Sequence, residues 1–182
     1  MAIVGARRAS DYARGVAFEL GRSLSACGIA VVSMLEAGVA ACALAGALSA
    51  RRPAVAVSAE GAADTGAGSL AWLHRRVLEC GTAVSELPWA AARARWSALA
   101  APRIVAGLAE IVIVVEAAEG SLPLFVADVA AELGRAVGAV PGRVGERGTE
   151  GSNALLRDGA HVIAGARDVL DLASGVRASA TK

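Results

Sequence analysis

The chain has 182 residues, 55% of them apolar and 3% aromatic, with 18 basic and 17 acidic side chains for a net charge of +1. That length buries one substantial core. The near-neutral balance excludes a globally basic surface, so any patch that attracts nucleic acid has to be local.

In chain order, Ala2–Val4 is a short apolar run ending at Gly5, and Ser10 is placed to cap the helix that follows. In DYARGVAFELGRSLSACG, Val16, Leu20, Leu24 and Cys27 recur at helical spacing and Gly28 stops the helix. Ile29–Ser33 is continuously apolar, as in a strand covered on both faces. Residues 38–50 form a second helix ended by Arg51-Arg52-Pro53, and Ala54–Ser58 a third strand. EGAADTGAGS is a glycine-rich loop, and residues 70–80 a helix carrying Trp72, His74, Arg75 and Arg76. Thr82–Ser85 is a short strand. The Ala/Arg/Trp segment after it has no clear period, and Ile104–Leu108 belongs to a helix. Ile111–Glu116 is the plainest strand, FVADVAAELG an amphipathic helix stopped by Gly134, and Ala136–Val140 a strand closed by Pro141-Gly142. A polar loop, GRVGERGTEGS, leads to a short helix starting at Ser152 or Asn153, a last strand at His161–Ile163 and a closing helix at Arg167–Leu172.

Strands alternating with helices predict an α/β fold: a doubly wound, mostly parallel sheet with helices on both faces, in three layers. The expected organisation is a single domain over residues 1–174, with 175–182 a disordered tail. The apolar runs are interrupted before the ~18 residues a membrane span needs, and MAIVGARR carries no basic-then-apolar leader. A cytoplasmic protein is therefore expected. Cys27, Cys42 and Cys80 lack CxxC spacing, which argues against a disulfide framework or zinc site and for buried free thiols. Lys182 is the only lysine. Arginine is the better phosphate fork, although a GC-rich genome gives the same bias.

Five stretches carry a resemblance: AIVGARRAS (2–10), VVSMLEAGVAACALAGAL (31–48), PRIVAGLAEIVIVVEAAEGS (102–121), AAELGRAVGAVPG (130–142) and GSNALLRDGAHVIAGARDVLD (151–171). In that order and spacing they resemble the Rossmann-like domain of the DprA/Smf DNA-processing proteins, within a wider group that includes the LOG nucleotide hydrolases. The resemblance implies single-stranded DNA binding during uptake or recombination, loading of a RecA-type recombinase, and a homodimer or higher homo-oligomer without turnover chemistry. No GxGxxG fingerprint is present, and neither a cofactor nor a metal is assigned.

The family's Gly-Ser-Arg after the first strand stands here as Gly5-Ala6-Arg7. Gly5 permits a tight turn, N–H groups at the helix start favour a phosphate, and Arg7 either grips that phosphate in bidentate fashion or is a solvated arginine beside a turn. At the second junction Ser33 and Gly38 match the family pattern, but Met34, Ala40 and Leu44 stand where it has Gly, Asp and His. In the stretch 98–108, Arg103 remains while the family's stacking Phe, another Arg and an Asn are gone; after the fifth strand Ser121 remains and Leu122 replaces a Gly. Replacing polar groups by apolar ones removes phosphate and base contacts. Trp96, with Arg93 and Arg95, offers a substitute platform, and the same spacing suits an ordinary surface segment with one anchoring Trp.

Glu116 ends the strongest strand, where a carboxylate either serves the ligand crevice or caps a helix. His74 reads as part of a solvated basic face and His161 as structural. Ser33, Ser85 and Ser121 have no His/Asp partners in a triad pattern, so no catalytic residue is assigned. Asn153 reads as a helix cap. Two rivals to DNA binding stay open: a pocket-eroded paralogue acting as an assembly subunit, motivated by Met34, Ala40, Leu44 and Leu122, and a binder of a small nucleotide-like ligand at Gly5–Arg7.

Overall fold

The structure, a computed structural model, describes residues 1–63, 68–92 and 97–180. Its elements are β1 (Ala2–Val4), α1 (Asp11–Ala26), β2 (Val31–Met34), α2 (Val39–Ser49), β3 (Ala54–Val57), α3 (Ala71–Cys80), β4 (Thr82–Val84) and α4 (Ser97–Leu108). They continue with β5 (Ile111–Val114), α5 (Leu122–Glu132), β6 (Ala136–Ala139), α6 (Glu150–Arg157), β7 (His161–Val162) and α7 (Ala166–Ala180). The strands form one sheet in the order β4-β3-β2-β1-β5-β6-β7, and every pairing is parallel. This is the doubly wound sheet the alternation of elements calls for.

A strand points alternate side chains to opposite faces, so continuously apolar strands divide into two cores. Ile3, Ile111 and Ile113 pack beneath α1, α2, α3 and α7. Ala2, Val4, Val112 and Val114 pack beneath α4 and α5, with Leu155 and Leu156 of α6 beside them. From β1 the chain winds outward to β4 and then returns to β5 and winds the other way. Reversing the direction of winding moves right-handed crossover helices to the other face, which is where α4, α5 and α6 lie.

The abundance of Ala and Gly has a use in the first helical layer. α1 and α2 cross so closely that a methyl group on Gly21 would run into the Ala43 carbonyl oxygen, and one on Gly46 into that of Phe18. Ala13, Ala17, Ala43 and Ala47, all buried, fill the rest of that contact. No helix among the described residues is long and apolar enough to cross a membrane.

Several boundaries differ from expectation. α4 begins at Ser97, well before Ile104, and carries Pro102 inside it. A proline looks like a start signal in sequence, but here Ala101, Val105 and Ala106 are buried against the sheet and hold the helix on both sides of it. α5 starts at Leu122, with Ser121 at its N-cap and Pro123 in the first turn. α7 runs through Ala180, into the stretch expected to be a disordered tail. Asn153 lies inside α6 and caps nothing: its amide accepts from Gly142 N–H (3.0 Å) and donates to Gly142 C=O (3.2 Å), stapling the end of β6 to the helix. Cys27 is exposed at the C-terminus of α1, and Cys42 and Cys80 are half-buried, so the thiols are free but not buried as a set.

Candidate functional site

In an open parallel sheet the two strands flanking the point where winding reverses send their following loops apart, leaving a crevice at their C-terminal ends. Here those strands are β1 and β5, and a cleft of about 290 Å³ lies there. The turn after β1 supplies Gly5, Ala6, Arg7 and Arg8; the segment after β5 supplies Glu116, Ala118 and Ser121–Pro123; Met34 and Glu36 enter from β2.

The β1 turn is pinned from both sides. Ala6 N–H donates to the Glu116 carbonyl (2.7 Å), and Val39 N–H at the start of α2 donates to the Ala6 carbonyl (3.1 Å). Gly38 makes the second contact possible. Its φ of +83° disfavours any side chain, and a Cβ there would collide with the carbonyls of Ala6 and Arg7. The glycine is thus demanded by the backbone that holds Arg7 in place.

Glu116 resolves to the capping role. Its carboxylate, 6% exposed, accepts from Ser10 N–H (3.0 Å) and from Ser10 Oγ–H, and Ser10 Oγ in turn accepts from Ala13 N–H (3.1 Å). The positive end of α1 therefore already faces an anion of the chain's own. The Ser10 and Ala13 N–H groups at that helix start are thus already satisfied within the chain. The cations left at the rim are side chains: Arg8, and Arg7, which is 64% exposed with its Nε 3.9 Å from Glu36 Oε2.

Of the other residues singled out in sequence, Ser121 lines the cleft, but its hydroxyl donates to the Ala118 carbonyl (2.6 Å). Ser33 does not face the cleft: fully buried, it donates to the Ile3 carbonyl (2.6 Å) and links β2 to β1 inside the sheet. Arg103 does not line this cleft; from α4 it meets both oxygens of Glu86, just beyond β4 (3.2 Å each). Arg93, Arg95 and Trp96 fall outside the described residues. Met34 and Leu122 line the cleft, as an apolar furnishing would. Ala40 and Leu44 do not; each is buried in one of the two cores.

Sequence reasoning passed over Glu36, because its partner Arg7 is distant along the chain. Its position just past the end of β2 was the available signal. His74 was also misplaced. It lies on the inner face of α3 with Leu73 and Val77, and its Nε2 is 3.1 Å from the Ala62 carbonyl; a basic flank hid a buried histidine. His161 faces solvent at the start of β7.

The arrangement suits binding an anion at its rim. Burial raises the Cys42 thiol above its ordinary value, against an opposing pull from Arg14, which keeps it a protonated, poor nucleophile at neutral pH. Among the described residues, no group of three or more His, Cys, Asp or Glu is placed to hold a metal ion.

A parallel sheet reversing at β1, with an arginine-rimmed cleft at the reversal, defines a Rossmann-like domain with a cationic rim at its switch point. Residues 1–174 match the family model of DNA recombination-mediator protein A, and the chain belongs to that family, the DprA/Smf proteins. It is 37% identical over 171 residues to a putative DNA processing protein DprA of Mycobacterium tuberculosis, a match covering 93% of this chain and 44% of that protein. The structure resembles DprA of Streptococcus pneumoniae (TM-score 0.85, 27% identity, 93% of this chain and 60% of the other). It also resembles DprA of Helicobacter pylori, solved for its single-stranded DNA binding mode (TM-score 0.80, 25% identity, 96% and 79%). The chain spans about half the length of the curated relatives it matches.

Proposed function

We propose that this chain binds single-stranded DNA without turning it over, in DNA processing, uptake or recombination, with a phosphate held at the Gly5–Arg7 turn. One observation carries the reading: Arg7 stands at the rim of the switch-point cleft, held there by Gly38 and Glu116, in a chain of the family whose H. pylori member binds single-stranded DNA. Arg8 adds a second rim cation. Arg103 is a further phosphate contact in this reading, and Arg93, Arg95 and Trp96, which lie outside the described residues, are kept as candidates from the sequence. Gly38 acts through the backbone, and Ser121 through its own turn. A RecA-type recombinase and a second copy of the chain are the proposed protein partners, in the cytoplasm.

The apolar wall of Met34, Leu122 and Pro123 favours one rival, an assembly subunit that binds no nucleic acid. Fluorescence anisotropy of labelled oligo-dT across salt separates the two. The DNA reading expects log affinity to fall linearly with log salt, and Arg7→Ala to weaken binding roughly tenfold while reducing the slope by about 0.7, the share of one phosphate on a single strand. Absence of binding at low salt, or an Arg7→Ala variant indistinguishable from the parent, excludes it.

Glu36 makes a prediction of opposite sign. Its carboxylate is within 3.9 Å of the Arg7 guanidinium and lines the same cleft, so it competes with phosphate for that cation and repels it. Glu36→Gln is expected to tighten oligo-dT binding by a few-fold at low salt, since a partly exposed pair is worth ~0.2–1 kcal/mol. The gain should fade as salt is raised. Weaker binding in the variant would show that Glu36 orients Arg7 rather than restrains it.

A further inference from the structure

On the outer surface of the first helical layer, away from the cleft, α2 and α3 leave a groove of about 390 Å³ lined by Ala45, Leu48, Ser49, Arg51, Trp72 and Arg76. Two of these residues are unexplained by the fold. α3 packs inward through Leu73, His74 and Val77, yet Trp72 beside them is 58% exposed, so its indole contributes little to the core. Arg51 follows α2 with a φ of 56°, the only non-glycine residue among those described in the left-handed region, and its N–H closes the helix on the Leu48 carbonyl (3.1 Å). That position favours glycine. An arginine there costs the fold, and its side chain lines the groove.

The surroundings are locally basic in a chain of net charge +1. Arg51 and Arg52 sit together in the turn, Arg75 and Arg76 together on α3, and all four are exposed. Arg76 meets Glu79 at 3.1 Å in an exposed i,i+3 pair, the kind that yields readily to a stronger anion. An exposed indole sharing one groove with two guanidinium forks matches a nucleobase flanked by phosphates. An acidic peptide would use the forks but not the exposed indole plane.

We propose that the α2–α3 groove is a second contact for single-stranded nucleic acid, Trp72 stacking a base while Arg51 and Arg76 hold the neighbouring phosphates. The proposal rests on the single-stranded DNA reading of the cleft and extends it. α2 joins the two places. Its first residue abuts the Arg7 turn, and its last precedes Arg51 by two positions, so the sites are about 16 Å apart along an 11-residue helix. A strand anchored at Arg7 runs along α2 into the groove.

The test uses the whole chain with two oligo-dT lengths, about 6 and about 20 nucleotides, straddling the span of one single-strand-binding domain. Trp72→Ala is expected to keep the melting temperature of the parent and Arg51→Gly to keep or raise it, and each is expected to bind the short oligomer as before, held by the cleft. Each should bind the long one roughly tenfold more weakly. Arg76→Gln repeats the test at a helical position where folding is not at issue. If all three variants bind the long oligomer like the parent while Arg7→Ala does not, the groove proposal is wrong and the cleft stands. If the parent binds neither oligomer, the cleft reading fails and takes this one with it. If poly-glutamate binds in a Trp72-dependent way and the long oligomer does not, the groove serves an acidic protein and the proposal is overturned.

Discussion

Gly46→Leu is expected to lower the stability of the domain by ~3 kcal/mol or more, a loss of roughly 10 °C in melting temperature for a chain of this size. Inserting methylenes into a packed core usually costs ~1–3 kcal/mol because side chains can still rotate aside. At Gly46 the obstruction is the carbonyl oxygen of Phe18, part of the α1 backbone, and Gly21 faces Ala43 in the same way from the other helix. Relief requires α1 and α2 to move apart as rigid rods. That opens the layer of Ala13, Ala17, Ala43 and Ala47, whose small side chains cannot refill the space, so cavities add to the strain. Gly15 is the control: it is on α1, and nothing lies within 4 Å of where its Cβ would stand. Gly15→Ala should be neutral or stabilising by up to ~1 kcal/mol. Thermal unfolding by circular dichroism reads both, and equal melting temperatures for parent and Gly46→Leu would disprove the close crossing.

Glu116→Ala is the second large effect, a loss of ~2–4 kcal/mol in denaturant unfolding. The carboxylate accepts two hydrogen bonds from Ser10 and faces the positive end of α1. Removing it leaves a charge-assisted partner set unmet and a helix terminus without its anion. Ser10→Ala loses the cap on Ala13 N–H and one of the same two bonds, at ~1 kcal/mol. Because the residues act in one network, the double variant should cost less than the sum of the singles. Additive losses would show that the two act separately. The capping also bears on function: with α1 already neutralised from within, an incoming phosphate depends on guanidinium groups, and its affinity should be strongly salt-dependent.

The layers of the fold were legible because each strand is a short apolar run punctuated by Gly, Pro or a charged residue, with a helix-period segment between. Residues such as Ile111–Val114 could not show which side chain faced which core, since both faces are covered. The helix starts were less legible. Pro102 masks the first half of α4, which burial of Ala101 and Val105 sustains, and Ser121-Leu122-Pro123 reads as a loop until Pro123 is seen in a first helical turn.

The site was legible in part, for a physical reason. Gly5, Arg7, Gly38, Glu116 and Ser121 all lie in segments running from a strand to the next helix, and the topology gathers them at one edge. Ser33 comes one residue before the end of β2, and that single step turns its hydroxyl into the sheet. Arg103 is on a helix, where direction depends on face, and it turns toward Glu86 instead of the cleft. Glu36 and the pairing of Trp72 with Arg51 join segments far apart along the chain, so only the folded arrangement discloses them.

Amide chemical shifts of the isotope-labelled chain during titration with oligo-dT probe the phosphate at the Gly5–Arg7 turn most directly. The expected result is that resonances of residues 5–9 and 36–39 move first and together, lose most of their movement in Arg7→Ala, and return on raising salt. Saturable binding that leaves those residues unmoved while shifts gather elsewhere, for example along the β7 edge, would place the DNA on another surface and contradict the account.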